Sequence, residues 1–235
     1  MKAHPAAEIF PLLTSIDMAN LAKSIREDGQ KFPIIVHEGL ILDGRNRFRA
    51  CQISGIDPWT EEWDGEGSPT AFVIAANLHR RHLDESQRGI VAGRATKMFE
   101  AEAAERQRES WKNRGRDVPA NLPERGEARE KAAALLNVSP RTAENGKRVV
   151  DRGVPELVEA VERGEVSVSA AAEVAKLPAT KQSAIVKKGA AAIVEVAKEQ
   201  RRPKDNSDEL FDEFKRIWNR AGDDVRKRIV EHIER

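Results

Sequence analysis

Residues 29–51 read GQKFPIIVHEGLILDGRNRFRAC, and the fold class turns on this stretch. Phe32-Pro33-Ile34-Ile35-Val36 is a β-branched run that stops at the Glu38-Gly39 turn. Leu40-Ile41-Leu42 reads as a second short strand, so the two form a hairpin. Asp43-Gly44-Arg45-Asn46-Arg47 follows at once and leads into a helix through Phe48, Ala50, Cys51 and Ile53. Gly55-Ile56-Asp57-Pro58 ends that helix. Upstream, residues 17–28 form a helix with Asp17 as N-cap, closed by Gly29. Downstream, a loop rich in Gly, Pro and acid (58–69) precedes a third strand, Thr70 to Ala75. A long helix then runs from Asp84 to about Arg108. Short strands interleaved with helices give a small α+β domain over residues 1–112.

The remainder changes character. Residues 113–126, with NRGRDVPANLPERG, are a hinge or linker by their Gly, Asn and Pro content. Residues 127–197 form an all-helical domain, and 198–208 are a polar linker. The C-terminal segment 209–235 forms one or two amphipathic helices with Leu210, Phe214, Ile217, Trp218, Ala221, Val225 and Ile229 on an apolar face. It packs on its own chain or self-associates, and the polar linker favours self-association.

Composition bounds the function. The chain has 235 residues and a net charge of only +1, so total charge names no partner. Residues 101–150 hold 11 basic against 8 acidic side chains, a basic middle that suits a phosphate-facing surface. The single Cys51 excludes an intramolecular disulfide and fits a reducing cytoplasm. No apolar run reaches membrane-spanning length. The five histidines have no metal-site spacing, His79 and His82 included. Cys51 falls on the apolar side of its helix, as a small core residue rather than a nucleophile. Trp59 and Trp63, in an acidic loop, are open to a core or a surface role.

Residues 129–150, REKAAALLNVSPRTAENGKRVV, have the layout of a helix-turn-helix. The first helix buries Ala132, Ala133, Leu135 and Leu136. After Asn137-Val138, Ser139 is the N-cap and Pro140 takes the first helical position. The second helix presents Arg141, Thr142, Asn145, Lys147 and Arg148. Arg141, Thr142 and Asn145 are the base readers expected on double-stranded DNA; Lys147 and Arg148 are phosphate contacts, with Ser139 beside them at the helix start. The plainer alternative is a helical hairpin with a solvated charged face, and Glu144 in the outer row favours it.

Gly44 with Arg45, Arg47 and Arg49 stands at a strand-to-helix turn, where a close backbone and a helix N-terminus favour phosphate. A second cluster, NLHRRHLDESQR (77–88), offers Asn77, Arg80, Arg81 and Arg88. Two such clusters in one small domain suggest one polyphosphate site. Against this, such arginines are often solvated or paired with acids such as Asp43 and Glu85.

Taken in order, GQKFPIIVHEGLILDGRNRFRAC, NLHRRHLDESQR and AALLNVSPRTAENGKRV resemble a ParB-type protein. The following GVPELVEAVERGEVSVSAAAEVAKLPATKQ resembles the helical extension of that family's DNA-binding domain. The resemblance covers roughly residues 4–190. It implies a ParB/sulfiredoxin-like N-terminal domain, a homodimeric clamp on DNA, and CTP bound with Mg²⁺ through Gly44, Arg45, Asn46, Arg47, Arg49, Asn77, Arg80 and Arg81. Gly44, Arg47, Arg49 and Ala50 match the family's Gly-Glu-Arg-Arg-x-Arg-Ala box, whereas Arg45 and Asn46 depart from it. Asn77 matches the residue that helps hold the metal, and Arg80 matches the arginine of the family's Glu-Asn-x-x-Arg segment. Ala76 replaces the glutamate associated with hydrolysis, so at most a weak CTPase is expected. The turn has no cysteine, which counts against a sulfiredoxin-like repair enzyme.

The resemblance implies a cytoplasmic, nucleoid-associated protein of plasmid, phage or chromosome partition, or of transcription regulation. A ParA-type ATPase is the partner it brings with it, although the usual amino-terminal tail for that contact is missing before His4-Pro5. Two rivals stay open: a nucleotide-independent repressor, and a ParB-fold enzyme acting as nuclease or serine kinase.

Overall fold

The computed structural model describes residues 1–65, 67–78, 83–113, 126–202 and 207–233. They fall into two units, Met1–Gln200 and Arg201–Arg235. A 3-10 turn, Pro5–Ile9, precedes α1 (Ser15–Asp28), β1 (Ile34–His37), β2 (Leu40–Asp43), α2 (Arg45–Ser54), β3 (Thr60–Glu62) and α3 (Pro69–Leu78). The long α4 (Glu85–Asn113) follows. Then come α5 (Glu127–Leu135), α6 (Pro140–Arg152), α7 (Pro155–Glu162), α8 (Val168–Val174), α9 (Ala179–Val186) and α10 (Ala190–Arg201). The class is α+β: mostly helical, with one three-stranded sheet.

The sheet order is β2-β1-β3. β1 and β2 form the expected hairpin, whose turn has φ of 52° at Glu38 and 74° at Gly39. Positive φ at both turn residues matches the twist of the flanking strands. The register shifts between Ile35 and Val36, and Ile41, Leu42 and Asp43 are all buried in succession. Such a bulge re-aims a side chain, and here it brings a carboxylate inside.

Three expectations are corrected. The third strand is Thr60–Glu62, parallel to β1 with Ile34 opposite Thr60, and lies in the segment read as a loop. All three of its residues are exposed, so it has no apolar alternation to announce it. Thr70 to Ala75 is helical instead, inside α3. Ser68 Oγ accepts from Ala71 N–H (3.1 Å) and Glu102 Oε1 from Thr70 N–H (3.1 Å). That double cap, one part supplied by α4, outweighs the β-branched composition. Finally, Thr14 rather than Asp17 caps α1: Thr14 Oγ1 accepts from Asp17 N–H at 3.2 Å and donates to the Asp17 carboxylate at 2.8 Å.

Two main cores meet along α4. Val91, Ala92, Ala95 and Phe99 pack with Ile9, Phe10, Leu42, Val73 and Ile74, and with Ala132, Ala133, Leu136 and Ala143 of the helices beyond. Ile90 joins the other core, built on Val149, Leu157, Val161, Val174 and Ile193. A smaller cluster holds α1 on α2 through Met18, Ala22, Ile25, Ala50 and Cys51. Gln182 is the buried polar hub of the later helices. Its amide donates to the carbonyls of Arg152 (2.9 Å) and Leu177 (2.8 Å) and accepts from Val154 N–H (2.9 Å). Burying this side chain is affordable because both its ends are paired.

In the second unit, α11 (Ser207–Arg220) and α12 (Asp223–Ile233) form a helical pair. Arg226 Nε donates to the Trp218 carbonyl at 3.0 Å, and Trp218 stacks obliquely on Phe214. Phe211, Phe214, Ile217, Val225 and Val230 remain exposed. Most of the 113–126 linker, and residues 203–206 of the polar break, lie outside the described residues. No helix among the described residues is long and apolar enough to cross a membrane.

Candidate functional site

The Gly44 turn builds the first candidate site. Gly44 has φ of 95° as the residue before α2, a left-handed conformation that glycine adopts at no steric cost. No side chain caps α2, so its first N–H groups carry the positive end of the helix dipole. A cavity of about 360 Å³ opens there, lined by Asp43, Gly44, Arg45, Asn46, Arg47 and Asn77. Its apolar wall comes from Phe10, Leu13, Leu21, Phe32, Leu42 and Val73.

Each polar group is held in place. Arg47 lies over Gly44, with its Nη2 2.9 Å from where a Cβ would stand. That nitrogen donates to Asp43 Oδ2 (2.8 Å) and to the Pro33 carbonyl (3.0 Å). Arg47 Nε is buried with no hydrogen-bond partner among the described residues. Arg45 Nη2 donates to the Phe10 carbonyl at 2.6 Å. Burial lowers its pKa, and Arg94 adds to this while Glu8 opposes it. Asn46 Oδ1 accepts from Leu13 N–H (3.3 Å). Asn77 Nδ2 donates to Asp43 Oδ1 (3.1 Å) and to the Val73 carbonyl (3.0 Å).

Five of the eight residues expected to hold nucleotide therefore share one cavity: Gly44, Arg45, Asn46, Arg47 and Asn77. Arg49 is exposed on α2 and does not line it. Arg80, Arg81, His79 and His82 lie outside the described residues. The residues present fit a metal-bound nucleoside polyphosphate. Arg47 Nε is an unspent donor, a carboxylate and a carboxamide are oxygen ligands for a hard divalent cation, and the apolar wall suits a base. Cys51 is fully buried, donates weakly to Gln30 Oε1 (3.3 Å), and burial pushes its thiol pKa up, as an inert core residue requires.

The α5–α6 pair is the second candidate site. After α5 the chain turns through Asn137, with φ of 50°, and Val138 N–H reaches back to the Ala133 carbonyl at 3.0 Å. A left-handed Asn in this position closes the helix as glycine usually does. Ser139 Oγ then accepts from Thr142 N–H (3.0 Å), with Pro140 opening α6. Ala143, Gly146 and Val149 form the buried face of α6. A Cβ on Gly93 would collide with the backbone of Gly146 and Lys147, and one on Gly146 with the Gly89 carbonyl. Helices α4 and α6 thus cross in backbone contact.

That close crossing sorts the expected DNA contacts. Arg141 is exposed at the start of α6, and Asn145 is half-buried one turn on. Thr142 is turned toward α4, its Oγ1 donating to Glu85 Oε1 at 3.2 Å. Lys147 is tied to Glu100 at 2.8 Å, and Arg148 faces Glu144 at 3.7 Å. Glu144 also approaches Arg129 at 3.8 Å.

Sequence reasoning named Asp43 as a counter-ion for these arginines, which its 2.8 Å contact with Arg47 bears out, but missed its second bond, to Asn77. It missed Glu85 and Glu100 as partners of α6 because they lie 57 and 47 residues away. A signal for the crossing was legible in Gly89 and Gly93, one helical turn apart, with Gly146 midway along a second helix.

No family model matches the chain, and no curated protein matches it. Among solved structures, the chain is similar to the C-terminally truncated chromosome-partitioning protein ParB from Caulobacter crescentus complexed to the centromeric parS site. That match has 16% identity and a TM-score of 0.39, covering 82% of this chain and 91% of that one. It is also similar to a Pnob8-like ParB-N domain, at 18% identity and a TM-score of 0.43, over 80% of this chain and 77% of that one. A third similar structure is the truncated Caulobacter crescentus ParB complexed with CTP-gamma-S, at 21% identity and a TM-score of 0.26. It covers 81% of this chain and 88% of that one.

Proposed function

We propose that this chain is a ParB-like DNA-binding protein of partition or transcription regulation, with α5–α6 as its helix-turn-helix. The observation that carries the reading is the capped α6, seated on α4 through Gly146, with Arg141 outward at its start. A helix fixed this closely presents its first turn as a rigid edge, which is what groove reading requires. In this reading Arg141 and Asn145 contact base edges. Thr142, the third base reader, reaches a base edge only by leaving Glu85, and Lys147 and Arg148 reach phosphate only by leaving Glu100 and Glu144, with Ser139 beside them at the helix start. A mobility-shift titration on double-stranded DNA tests it. Arg141→Ala should weaken specific binding by about 10-fold or more, and unchanged binding would overturn the assignment.

The cavity at Gly44 is proposed to bind CTP with Mg²⁺. In this reading the α2 N–H groups, Arg45 and Arg47 hold phosphate, and Asn77 offers its carboxamide oxygen to the metal. CTP with Mg²⁺, when bound, supplies the polyphosphate charge for which these groups are arranged. Ala76 provides no carboxylate to orient a water, which supports binding without fast hydrolysis. Calorimetric titration with CTP, ATP, GTP and UTP in Mg²⁺ tests this, and no heat with any of the four would leave a nucleotide-independent repressor.

The protein is further proposed to be a homodimer through α11–α12. Two helices of 14 and 11 residues are too short to cover Phe211, Phe214 and Ile217 by themselves, and a second copy supplies the missing face. Light scattering that gave the monomer mass at micromolar concentration would refute it.

A further inference from the structure

We propose that Asp43 makes nucleotide binding in this cavity conditional on a divalent cation. This rests on the nucleotide reading of the same cavity and adds a residue that the motif comparison does not supply.

Asp43 ends β2, and the register shift in that strand leaves it only 8% exposed. One of its oxygens accepts from Arg47 and the other from Asn77. A single carboxylate therefore holds both the cation meant for phosphate and the carboxamide meant for metal. A phosphate entering alone would have to compete with Asp43 for Arg47 and then remain beside a buried like charge. Both effects oppose binding, and low accessibility keeps solvent from screening them. A divalent cation reverses the sign. Carboxylate and carboxamide oxygens are its natural ligands, and a cation shared by Asp43, Asn77 and the phosphates turns repulsion into a bridge. Once Asp43 has that cation, Arg47 has donors to give to phosphate, its Nε already unspent.

The test is calorimetry on the full chain, titrating CTP in Mg²⁺ and in EDTA, for the wild type and for Asp43→Asn, Asp43→Ser and Asp43→Ala. Circular dichroism identifies which variants fold. The wild type should bind in Mg²⁺ and lose at least ~100-fold in EDTA. A folded Asp43 variant should bind in EDTA within ~10-fold of its own affinity in Mg²⁺. Equal wild-type affinity in both buffers overturns the proposal, even if no variant folds. So does a folded variant that keeps the full metal dependence. A wild type that binds no CTP in Mg²⁺ instead overturns the nucleotide reading itself.

Discussion

Gly146 of α6 meets Gly89 of α4 backbone against backbone, with no room between them for a side chain. Gly146→Ala should therefore cost at least about 3 kcal/mol of stability in urea denaturation, because rigid main chain on both sides must move. Gly222→Ala, where nothing lies within 4 Å of the added carbon, should change stability by less than about 1 kcal/mol. Equal losses at the two positions would mean that the crossing has room for a side chain.

Gln182 ties the end of α6 to the turn before α9. Gln182→Leu keeps the volume but leaves the Val154 N–H and two carbonyls without their partner. A loss of about 2–4 kcal/mol is expected. A loss below 1 kcal/mol would show that water replaces the amide.

Lys147 is held by Glu100 in the free protein. Asp151 stands farther off, at 3.9 Å, so neutralising Glu100 removes the tighter of two carboxylate contacts and loosens the lysine toward DNA. Glu100→Gln is expected to tighten DNA binding and to steepen its salt dependence by about one counterion. Lys147→Ala should leave Arg141-dependent specificity intact, because phosphate contacts position without reading sequence.

His4 Nδ1 accepts from Ala6 N–H at 3.1 Å and caps the 3-10 turn. Burial, then the neighbouring His37, lowers its pKa below the ordinary 6.5, against smaller opposing effects of Glu102 and Glu38. The unfolded chain thus takes up the proton first as pH falls. The contribution of His4 to stability is fully present above pH 6.5 and is lost as pH drops through 6.5 toward the lower folded-state pKa. His4→Asn keeps a capping oxygen and has no proton to bind, so its melting temperature should vary less between pH 7 and pH 5. An unchanged slope would place the sensitivity elsewhere.

Much of this structure was legible in the chain. The Glu38-Gly39 turn, the Gly44-started α2 and the Asn137-Ser139-Pro140 connection all announce themselves through local conformation, where residue type and φ are directly linked. β3 was not legible, because Thr60-Glu61-Glu62 joins the sheet by backbone pairing alone and buries no side chain. α3 was misread because its start is capped by Glu102, a residue from another helix. In the cavity, Arg45, Arg47 and Asn77 could be nominated by type, but the position of Asp43 depends on a register shift that no composition reveals. The tethering of Thr142 and Lys147 likewise depends on which side of α6 faces α4.

Ile90 and Val91 are adjacent on α4 and serve different cores. That helix therefore works as a shared wall, and α5 and α6 adhere to it through buried side chains. The buried side chains that make this adhesion lie at or before Phe99 and at or after Ala132. Two separate polypeptides, divided between these residues, should find each other in solution and restore one folded particle by fragment complementation.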